Sequence, residues 1–462
     1  MNLNSSVAAP PRSKRSLSLL LLLVSAVLGS IVVLVPPGTP ASAQSAPAAG
    51  VYVPLSPARI RDTRNPGSGG PIAAQTSRDI QVTGLGGVPT TDVLAVAVTV
   101  AAFNNTSGGW GLMWQAGTTR PNPASNINYI PGRVVNNAIT SKVSAAGKVS
   151  YYSLASTDIT VDVVGYYRSS PGGGGYVALP QARLLDTRTT GAKVAGSTLD
   201  RKLRGVAGIP DSAAVTAVAL NMSTLNQEAH GLSIVYPRGQ ARPDTSTMNY
   251  VPWRIQTQLV PAKLSADGFS NFYVSTTTDV ILDIVGYYTE GSGARFVPLP
   301  STRVIDTRYN IPGWGKGPIT QPLAPGTDTA IKLTGMAGVP ETGVSTVVVN
   351  AVADTAGSAI GFLTFWATGD ARPATNSLTY YPNEDSSNLV IAKVGSDGKA
   401  IVTNSYGSTA LVLDVVGYFS TDPGPSAPTN VMAAPADQGS TVAWGPPLNN
   451  GGTAIAGYRV KV

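Results

Sequence analysis

The chain carries a threefold internal repeat with a period of about 120 residues. The phrase Arg-x-x-Asp-Thr-Arg occurs at 59–64, 183–188 and 303–308. A phrase Asp-Val/Ile-Val-Gly-Tyr follows each copy, at 162–166, 283–287 and 414–418. Asp62 and Asp186 are 124 residues apart, and Asp186 and Asp306 are 120 apart. Because such a period is too long for a solenoid unit and suits a small domain, we predict three tandem copies of one domain.

The repeat and the linkers between copies define the expected domains. We call them modules 1, 2 and 3, and expect them at 50–168, 175–289 and 294–420. Gly- and Ser-rich segments separate them at 169–175 and 291–293, and Asp422–Pro425 closes the third. Such segments are typical of flexible linkers. We therefore expect the modules to follow one another like beads, each with restricted movement relative to its neighbours.

Within a module the residue pattern is that of β-structure. The runs Val93–Val100, Val215–Leu220 and Val344–Val349 are rich in alternating β-branched residues. Asp267-Gly268 and Asp397-Gly398 are hairpin signals. About eight strands fit into each module, and no segment has a convincing helical pattern. The predicted fold class is all-β, with three tandem β-sandwich modules that are jelly-roll-like.

The last strand of each module places an aspartate among apolar residues. In 280–285 both faces of the strand are apolar, and Asp283 lies between them. A buried carboxylate needs a partner, and the repeated arginines supply one. We predict that Arg59 or Arg64 pairs with Asp162, and likewise in each copy, with Asp62-Thr63 forming a local turn. The clamp residues are Arg59, Asp62, Arg64, Asp162, Arg183, Asp186, Arg188, Asp283, Arg303, Asp306, Arg308 and Asp414. The functional alternative is a catalytic or metal-binding carboxylate.

A second repeated set combines aromatic residues with an Arg-Pro pair. Its members are Trp114, Arg120, Tyr129, Tyr236, Arg242, Tyr250, Trp366, Arg372 and Tyr380. Rigid aromatic side chains beside arginine and asparagine can stack on sugars and hydrogen-bond them. These residues are candidate glycan-binding groups. The structural alternative is that the aromatic rings pack on a neighbouring loop, with the arginines stacked on them.

Catalysis finds little support in the residue inventory. His230 is the single histidine and cysteine is absent, so histidine-based triads, cysteine nucleophiles and multi-histidine metal sites are excluded. No phosphate-binding loop or nucleophile elbow occurs, and no carboxylate pair stands out. No basic stripe of the kind that binds nucleic acid is present. We predict no enzymatic activity within this chain, no cofactor, no metal and no nucleic-acid partner.

Residues 1–43 have the pattern of an export signal. Arg12, Lys14 and Arg15 precede the apolar run Leu17–Val35, and Ala41-Ser42-Ala43 forms a small-residue cleavage site. Removing the leader takes three positive charges from the formal net charge of +7. The alternative is an uncleaved membrane anchor, since the run is long. We expect cleavage after Ala43 and a secreted or cell-surface protein, in contact with a membrane only if this segment is retained.

Two resemblances extend the interpretation. Leu-Pro-Ser-Thr-Arg-Val-Ile-Asp-Thr-Arg at 299–308 and the phrase at 413–419 resemble tandem modules of secreted and cell-surface actinobacterial proteins. Residues 427–462 resemble the first half of a bacterial fibronectin type III domain, with Trp444 at the core position and Tyr458 on the third strand. Such a domain needs roughly 90–100 residues. We therefore expect more chain after Val462.

The resemblance implies a location more than an activity. We expect a non-enzymatic, exported multi-module protein for surface display or adhesion, with cell-wall or extracellular glycan as the candidate partner. One alternative is the N-terminal accessory region of a larger polysaccharide- or cell-wall-degrading hydrolase. Another is a passive spacer without a ligand.

Overall fold

The repeat appears in the structure as three sets of eight strands. The structure is a computed structural model that describes residues 48–308, 319–354, 360–421, 428–436, 439–447 and 458. The strands of module 1 are β1 (Val51–Asp62), β2 (Thr76–Gln81), β3 (Ala95–Phe103), β4 (Gly109–Gln115), β5 (Ile127–Tyr129), β6 (Val135–Lys142), β7 (Lys148–Ser153) and β8 (Asp158–Arg168). The predicted signal segment 1–43 lies outside the described residues.

Modules 2 and 3 repeat the same order. Module 2 has β9 (Gly174–Asp186), β10 (Thr198–Lys202), β11 (Val215–Leu225), β12 (Gly231–Pro237), β13 (Met248–Tyr250), β14 (Gln256–Lys263), β15 (Phe269–Val274) and β16 (Asp279–Glu290). Module 3 has β17 (Arg295–Asp306), β18 (Asp328–Lys332), β19 (Val344–Asp354), β20 (Gly361–Ala367), β21 (Leu378–Tyr380), β22 (Asp385–Lys393), β23 (Lys399–Asn404) and β24 (Ala410–Ser420). Among the described residues no helix is long and apolar enough to cross a membrane.

Each module is a sandwich of two antiparallel four-stranded sheets. In module 1 the orders are β1-β8-β3-β6 and β2-β7-β4-β5, which are those of a jelly roll. Modules 2 and 3 repeat both orders, as β9-β16-β11-β14 with β10-β15-β12-β13 and β17-β24-β19-β22 with β18-β23-β20-β21. We call the sheets that contain β1, β9 and β17 the axial sheets and the others the outer sheets. The predicted all-β sandwich class is confirmed.

The Asp-Gly turns do not form hairpins, contrary to the prediction. The turn at Asp267-Gly268 joins β14 to β15, and these strands lie in different sheets of module 2. Gly268 has φ of +86°, a conformation that glycine adopts without steric strain. The sequence therefore predicted the turn correctly, but in a jelly roll this turn connects a strand of the axial sheet to a strand of the outer sheet.

The axial sheets are buried on both faces. One face of β8 contributes Ile159, Val161 and Val163 to the core of module 1. Its other face contributes Val164 and Tyr167 to a separate apolar cluster that also holds residues of modules 2 and 3. We call this cluster the central core. The two-sided apolar pattern of the last strand thus reflects contact between modules as well as packing within one.

The three modules form one compact unit, so the prediction of beads with restricted movement is wrong. Modules 1 and 2 share a continuous sheet through the pairing of Tyr52 on β1 with Gly174 on β9. Gly50 forms an isolated bridge with Phe296 of module 3, and Tyr176 forms one with Ala294. Each module start therefore pairs with a neighbouring module, and the contacts close into a ring.

A separate unit contains one antiparallel hairpin, β25 (Thr429–Ala436) and β26 (Gly439–Gly445). It falls where the first two strands of a fibronectin type III domain were expected. The expected third strand around Ile455–Tyr458 lies almost entirely outside the described residues.

Candidate functional site at the pseudo-threefold axis

The first arginine of each repeated phrase pairs with the buried aspartate of the last strand. Arg59 Nε lies 2.7 Å from Asp162 Oδ1. The equivalent distances are 2.9 Å for Arg183 with Asp283 and 2.8 Å for Arg303 with Asp414. This pair joins neighbouring strands of the axial sheet at a register position where Arg59 faces Asp162. The structure therefore brings the clamp residues together and selects the first arginine, which the sequence alone left open.

The second arginine holds the aspartate of its own phrase. Arg64 Nη2 lies 2.6 Å from Asp62 Oδ2, and the backbone N–H of Arg64 donates to Asp62 Oδ1 at 3.0 Å. In module 2 the hydrogen bonds from Arg188 lower the pKa of Asp186 to about 2. These contacts build a local turn, as expected for Asp62. The hydrogen bonds from Arg64 lower the pKa of Asp62 and engage both of its oxygens, and a weakly basic, fully engaged carboxylate does not suit a catalytic base.

The threonine of the phrase acts across the module rather than within the turn. Thr63 Oγ1 donates to Asp158 Oδ1 at 2.6 Å and accepts from the backbone N–H of Ile159 at 2.9 Å. Thr187 makes the equivalent bond to Asp279 at 2.8 Å. The prediction that Asp62 and Thr63 both bond locally is therefore right for the aspartate and wrong for the threonine.

Burial acts against the charge of the clamp aspartates. Desolvation raises the pKa of Asp283 and of Asp414, although the hydrogen bond and charge of the paired arginine lower it in each case. An arginine and a carboxylate in such a position hold each other in the charged form only while both are present. The arrangement is that of a structural tie between the first and last strands of the axial sheet.

Each clamp is completed by a loop from another module. The backbone N–H of Ser246 in module 2 donates to Asp162 Oδ2 of module 1 at 3.0 Å. The N–H of Asn376 in module 3 donates to Asp283 of module 2 at 3.4 Å, and that of Ser125 in module 1 donates to Asp414 of module 3 at 3.0 Å. The contacts run in one rotational sense, from module 2 to 1, from module 3 to 2 and from module 1 to 3. They therefore have pseudo-threefold symmetry and form a closed circle.

The loops that make these contacts are the Arg-Pro loops proposed as glycan sites. Gln181 of module 2 donates to the carbonyl of Phe365 at 2.6 Å and accepts from Thr375 at 2.8 Å. Arg183 Nη2 donates to the carbonyl of Ala374 at 3.2 Å. The segment after Arg372-Pro373 is thus a joint between modules 2 and 3.

The candidate glycan-binding aromatic rings are buried. Tyr129, Tyr250 and Tyr380 are 2%, 1% and 1% exposed, and their hydroxyls bond inward, as Tyr129 does to the carbonyl of Trp110 at 3.2 Å. Trp114, Tyr236 and Trp366 are 8%, 6% and 4% exposed. A ring must offer a free face to stack on a sugar. The structure therefore contradicts the prediction that these six rings bind a ligand.

The arginines of this set stack on rings of their own outer sheets. Arg120 lies 3.8 Å from the ring centroid of Tyr152, and Arg242 lies 3.9 Å from that of Tyr273. Arg372 lies 5.8 Å from the ring of Trp366. This is close to the structural alternative of arginine on aromatic rings, although in two modules the partner ring is a different one.

Six buried aromatic rings surround the axis at one end of the central core. Within each module the two rings are about equally spaced, at 5.1, 5.1 and 5.2 Å. Between modules the centroid distances are 4.4, 4.5 and 4.4 Å. The rings are Tyr52, Tyr167, Tyr176, Tyr288, Phe296 and Phe419, here called the aromatic hexad. Its repeated geometry shows that the ring of modules closes around this axis.

The other end of the axis carries a charged triad. Arg133 of module 1 and Arg254 of module 2 both bind Glu384 of module 3, with Nη1–Oε1 distances of 2.9 and 3.1 Å. The Arg254 guanidinium also lies 3.5 Å from the ring centroid of Tyr381. These side chains are between 17% and 29% exposed. All three modules meet in this cluster, which we call the axial triad.

The ends of the ring differ in their chain connections. Ala95 pairs with Tyr167 at one end of the axial sheet, and Ala102 pairs with Val135 towards the other. Gly50 and Ser420, where the ring begins and ends, both pair with strand β17 next to the hexad. We call this the proximal end. The end that carries the axial triad is the distal end.

Trp253 stands beside the axial triad at the distal end. It is 70% exposed and has φ of +58°, a left-handed conformation that tryptophan rarely adopts. Gly132 and Asn383, at the equivalent positions, have φ of +74° and +56° and suit this backbone better. The N–H of Trp253 donates to the carbonyl of Gln227 at 2.8 Å, which fixes the loop. A cleft of about 520 Å³ opens at the matching place in module 1, beside Gly132.

Sequence reasoning missed the axial triad and Trp253. Arg133, Arg254 and Glu384 each follow the repeated buried tyrosine by four residues. A charged residue at the same place in every copy was the available signal. No charge pattern says, however, that these positions meet on an axis. That follows only from the association of the modules.

No family model matches the chain, and no curated protein matches it. Among the described residues no group of three or more His, Cys, Asp or Glu side chains could hold a metal ion.

Proposed function

We propose that this chain is the non-enzymatic head of an exported protein that displays a binding surface for adhesion. The observation that carries the proposal is the closed ring of three modules, with both chain connections at its proximal end. Because contacts on all sides hold each module against the other two, the ring keeps the three parts of its distal surface in a fixed arrangement. A passive spacer needs no such closure, because three modules in a row would separate two points equally well.

The distal end supplies the candidate contact surface. The backbone that carries Trp253 is held in place there, since the axial triad fixes Arg254 and the N–H of Trp253 bonds to Gln227. Binding to a surface that is already ordered loses little conformational entropy. A flat apolar ring among polar groups suits the face of a sugar ring. The triad has a net charge of +1, but both of its guanidinium groups are already engaged by the Glu384 carboxylate and are not free to pair with an acidic sugar, which favours a neutral glycan.

The alternative of an accessory region in a larger hydrolase uses the same surface. In that case the ring would hold a catalytic domain near its polysaccharide. The binding proposal is shared by both, and the presence or absence of a hydrolase domain in the same protein distinguishes them.

Replacement of Trp253 by asparagine tests the proposal. Asn383 occupies the equivalent place, so Trp253→Asn should fold with at least unchanged thermal stability. The probes are immobilised neutral hexasaccharides of glucose and of N-acetylglucosamine, offered to residues 44–462. We expect the unchanged chain to bind and Trp253→Asn to bind about ten-fold more weakly, equivalent to about 1.4 kcal/mol.

Phe362→Thr is the matched control. Phe362 is also exposed, at 39%, but lies on the outer sheet of module 3, and its loss should leave binding unchanged. Equal binding by Trp253→Asn and the unchanged chain would rule out the distal surface around Trp253 as the glycan-binding site. Retention on neither sugar would contradict glycan binding and favour the spacer.

A further inference from the structure

The axial triad occupies one equivalent position in three modules, yet its charges are not the same. Arg133, Arg254 and Glu384 each follow the tyrosine that pairs with the first residue of β4, β12 or β20. The pseudo-threefold axis brings these positions together. In a ring of identical modules such a position would repeat one charge three times. Here two arginines share one glutamate.

The contacts show that the single glutamate serves both arginines. Arg133 Nη1 lies 2.9 and 3.0 Å from the two Glu384 oxygens. Arg254 approaches the same carboxylate with both terminal nitrogens. Both arginines are mostly buried, so water screens their mutual repulsion poorly without the carboxylate between them. The glutamate therefore allows the two arginines to lie close together on the axis.

Two other sets of contacts between modules, the hexad and the clamp-to-loop bonds, do not make this distinction. The hexad has an aromatic ring at every equivalent position, and the clamp-to-loop bonds use a backbone N–H in every module. These contacts would form as well between three copies of one module. The axial triad is different, because three copies of module 1 or 2 would bring three arginines together and three copies of module 3 would bring three glutamates.

We infer that the axial triad is a specificity determinant of the ring: two modules with arginine at this position associate with one module that has glutamate there, and a ring of three copies of one module is rejected. The axial face of a module is thus an interaction surface for a non-identical module. The inference does not depend on the proposed glycan binding.

The test changes the charges within the complete chain. Glu384→Arg places three arginines on the axis and should lower the midpoint of thermal unfolding by about 3 °C or more at low salt. Glu384→Gln, which removes the attraction without adding a third positive charge, should lose less. The double variant Arg254→Glu with Glu384→Arg moves the glutamate to module 2 and keeps two arginines. It should recover at least half of the loss.

Salt separates charge from packing. In 1 M NaCl, where screening acts within about 3 Å, the difference between Glu384→Arg and the unchanged chain should shrink. A Glu384→Arg chain that unfolds at the unchanged temperature would overturn the inference. So would a double variant no more stable than Glu384→Arg, or a defect of the same size at high salt.

Discussion

Tyr52, Tyr176 and Phe296 occupy equivalent places in the aromatic hexad but differ in one hydroxyl. The hydroxyl of Tyr52 donates to the carbonyl of Val164 at 3.1 Å, whereas that of Tyr176 is buried with no hydrogen-bond partner among the residues that the structure describes. Phe296 has no hydroxyl to satisfy. A buried hydroxyl without a partner costs about 1–3 kcal/mol, so the hydroxyls of Tyr52 and Tyr176 have unequal effects on stability.

Two tyrosine-to-phenylalanine changes should separate these effects. Tyr176→Phe removes an unsatisfied group and should leave the free energy of unfolding unchanged or raise it. Tyr52→Phe loses a buried hydrogen bond and should lower it by about 0.5–1.5 kcal/mol. Urea unfolding of the two variants measures the difference. A larger loss in Tyr176→Phe than in Tyr52→Phe would contradict this description of the hexad.

The clamp contact could be predicted from single residues, but the arginine that makes it could not. An aspartate in a doubly apolar strand requires a partner, and Arg59 and Arg64 were the repeated cations available. That requirement predicted the contact but not the choice between them. The choice depends on the register of β1 against β8, which places Arg59 opposite Asp162.

At the scale of elements, the last strand was predictable and its environment was not. The residues of β8, β16 and β24 correctly indicated burial on both faces. Periodicity gives the polarity of a face, but it does not identify the surface that covers it. The second face belongs to the central core. The Arg-Pro loops show the same limit, since a repeated aromatic and arginine pattern serves a joint as well as a binding site.

The three clamps differ in solvent exposure, and their stabilities should differ accordingly. The Arg303 side chain is 8% exposed, whereas that of Arg183 is 32% exposed. Arg303→Met would leave the buried Asp414 without its partner, at a cost of about 3–5 kcal/mol. Arg183→Met should cost less, because water can reach Asp283 from the exposed side. Denaturant unfolding compares the two, and an equal or greater loss at Arg183 would be inconsistent with the clamp as described.

At the scale of the whole molecule, the sequence predicted the all-β class of the modules but not their association. Short Gly-rich linkers are compatible with free beads and with a closed ring. The deciding contacts join residues that are far apart in sequence, such as Ser125 with Asp414 and Gly50 with Phe296. Three covalently joined copies here adopt the closed cyclic arrangement that is usual for oligomers of identical subunits.

Cutting one linker tests most directly whether the three modules are one closed unit. Gly291 is exposed with open space around it, so a protease recognition sequence fits between Gly291 and Ser292. After cleavage of the intact chain, residues 294–421 should remain bound through the hexad, the axial triad and the clamp loops. We expect both pieces to elute together at the size of the uncut chain at micromolar concentration, and to part only in denaturant. Two separate peaks without denaturant would contradict the closed ring.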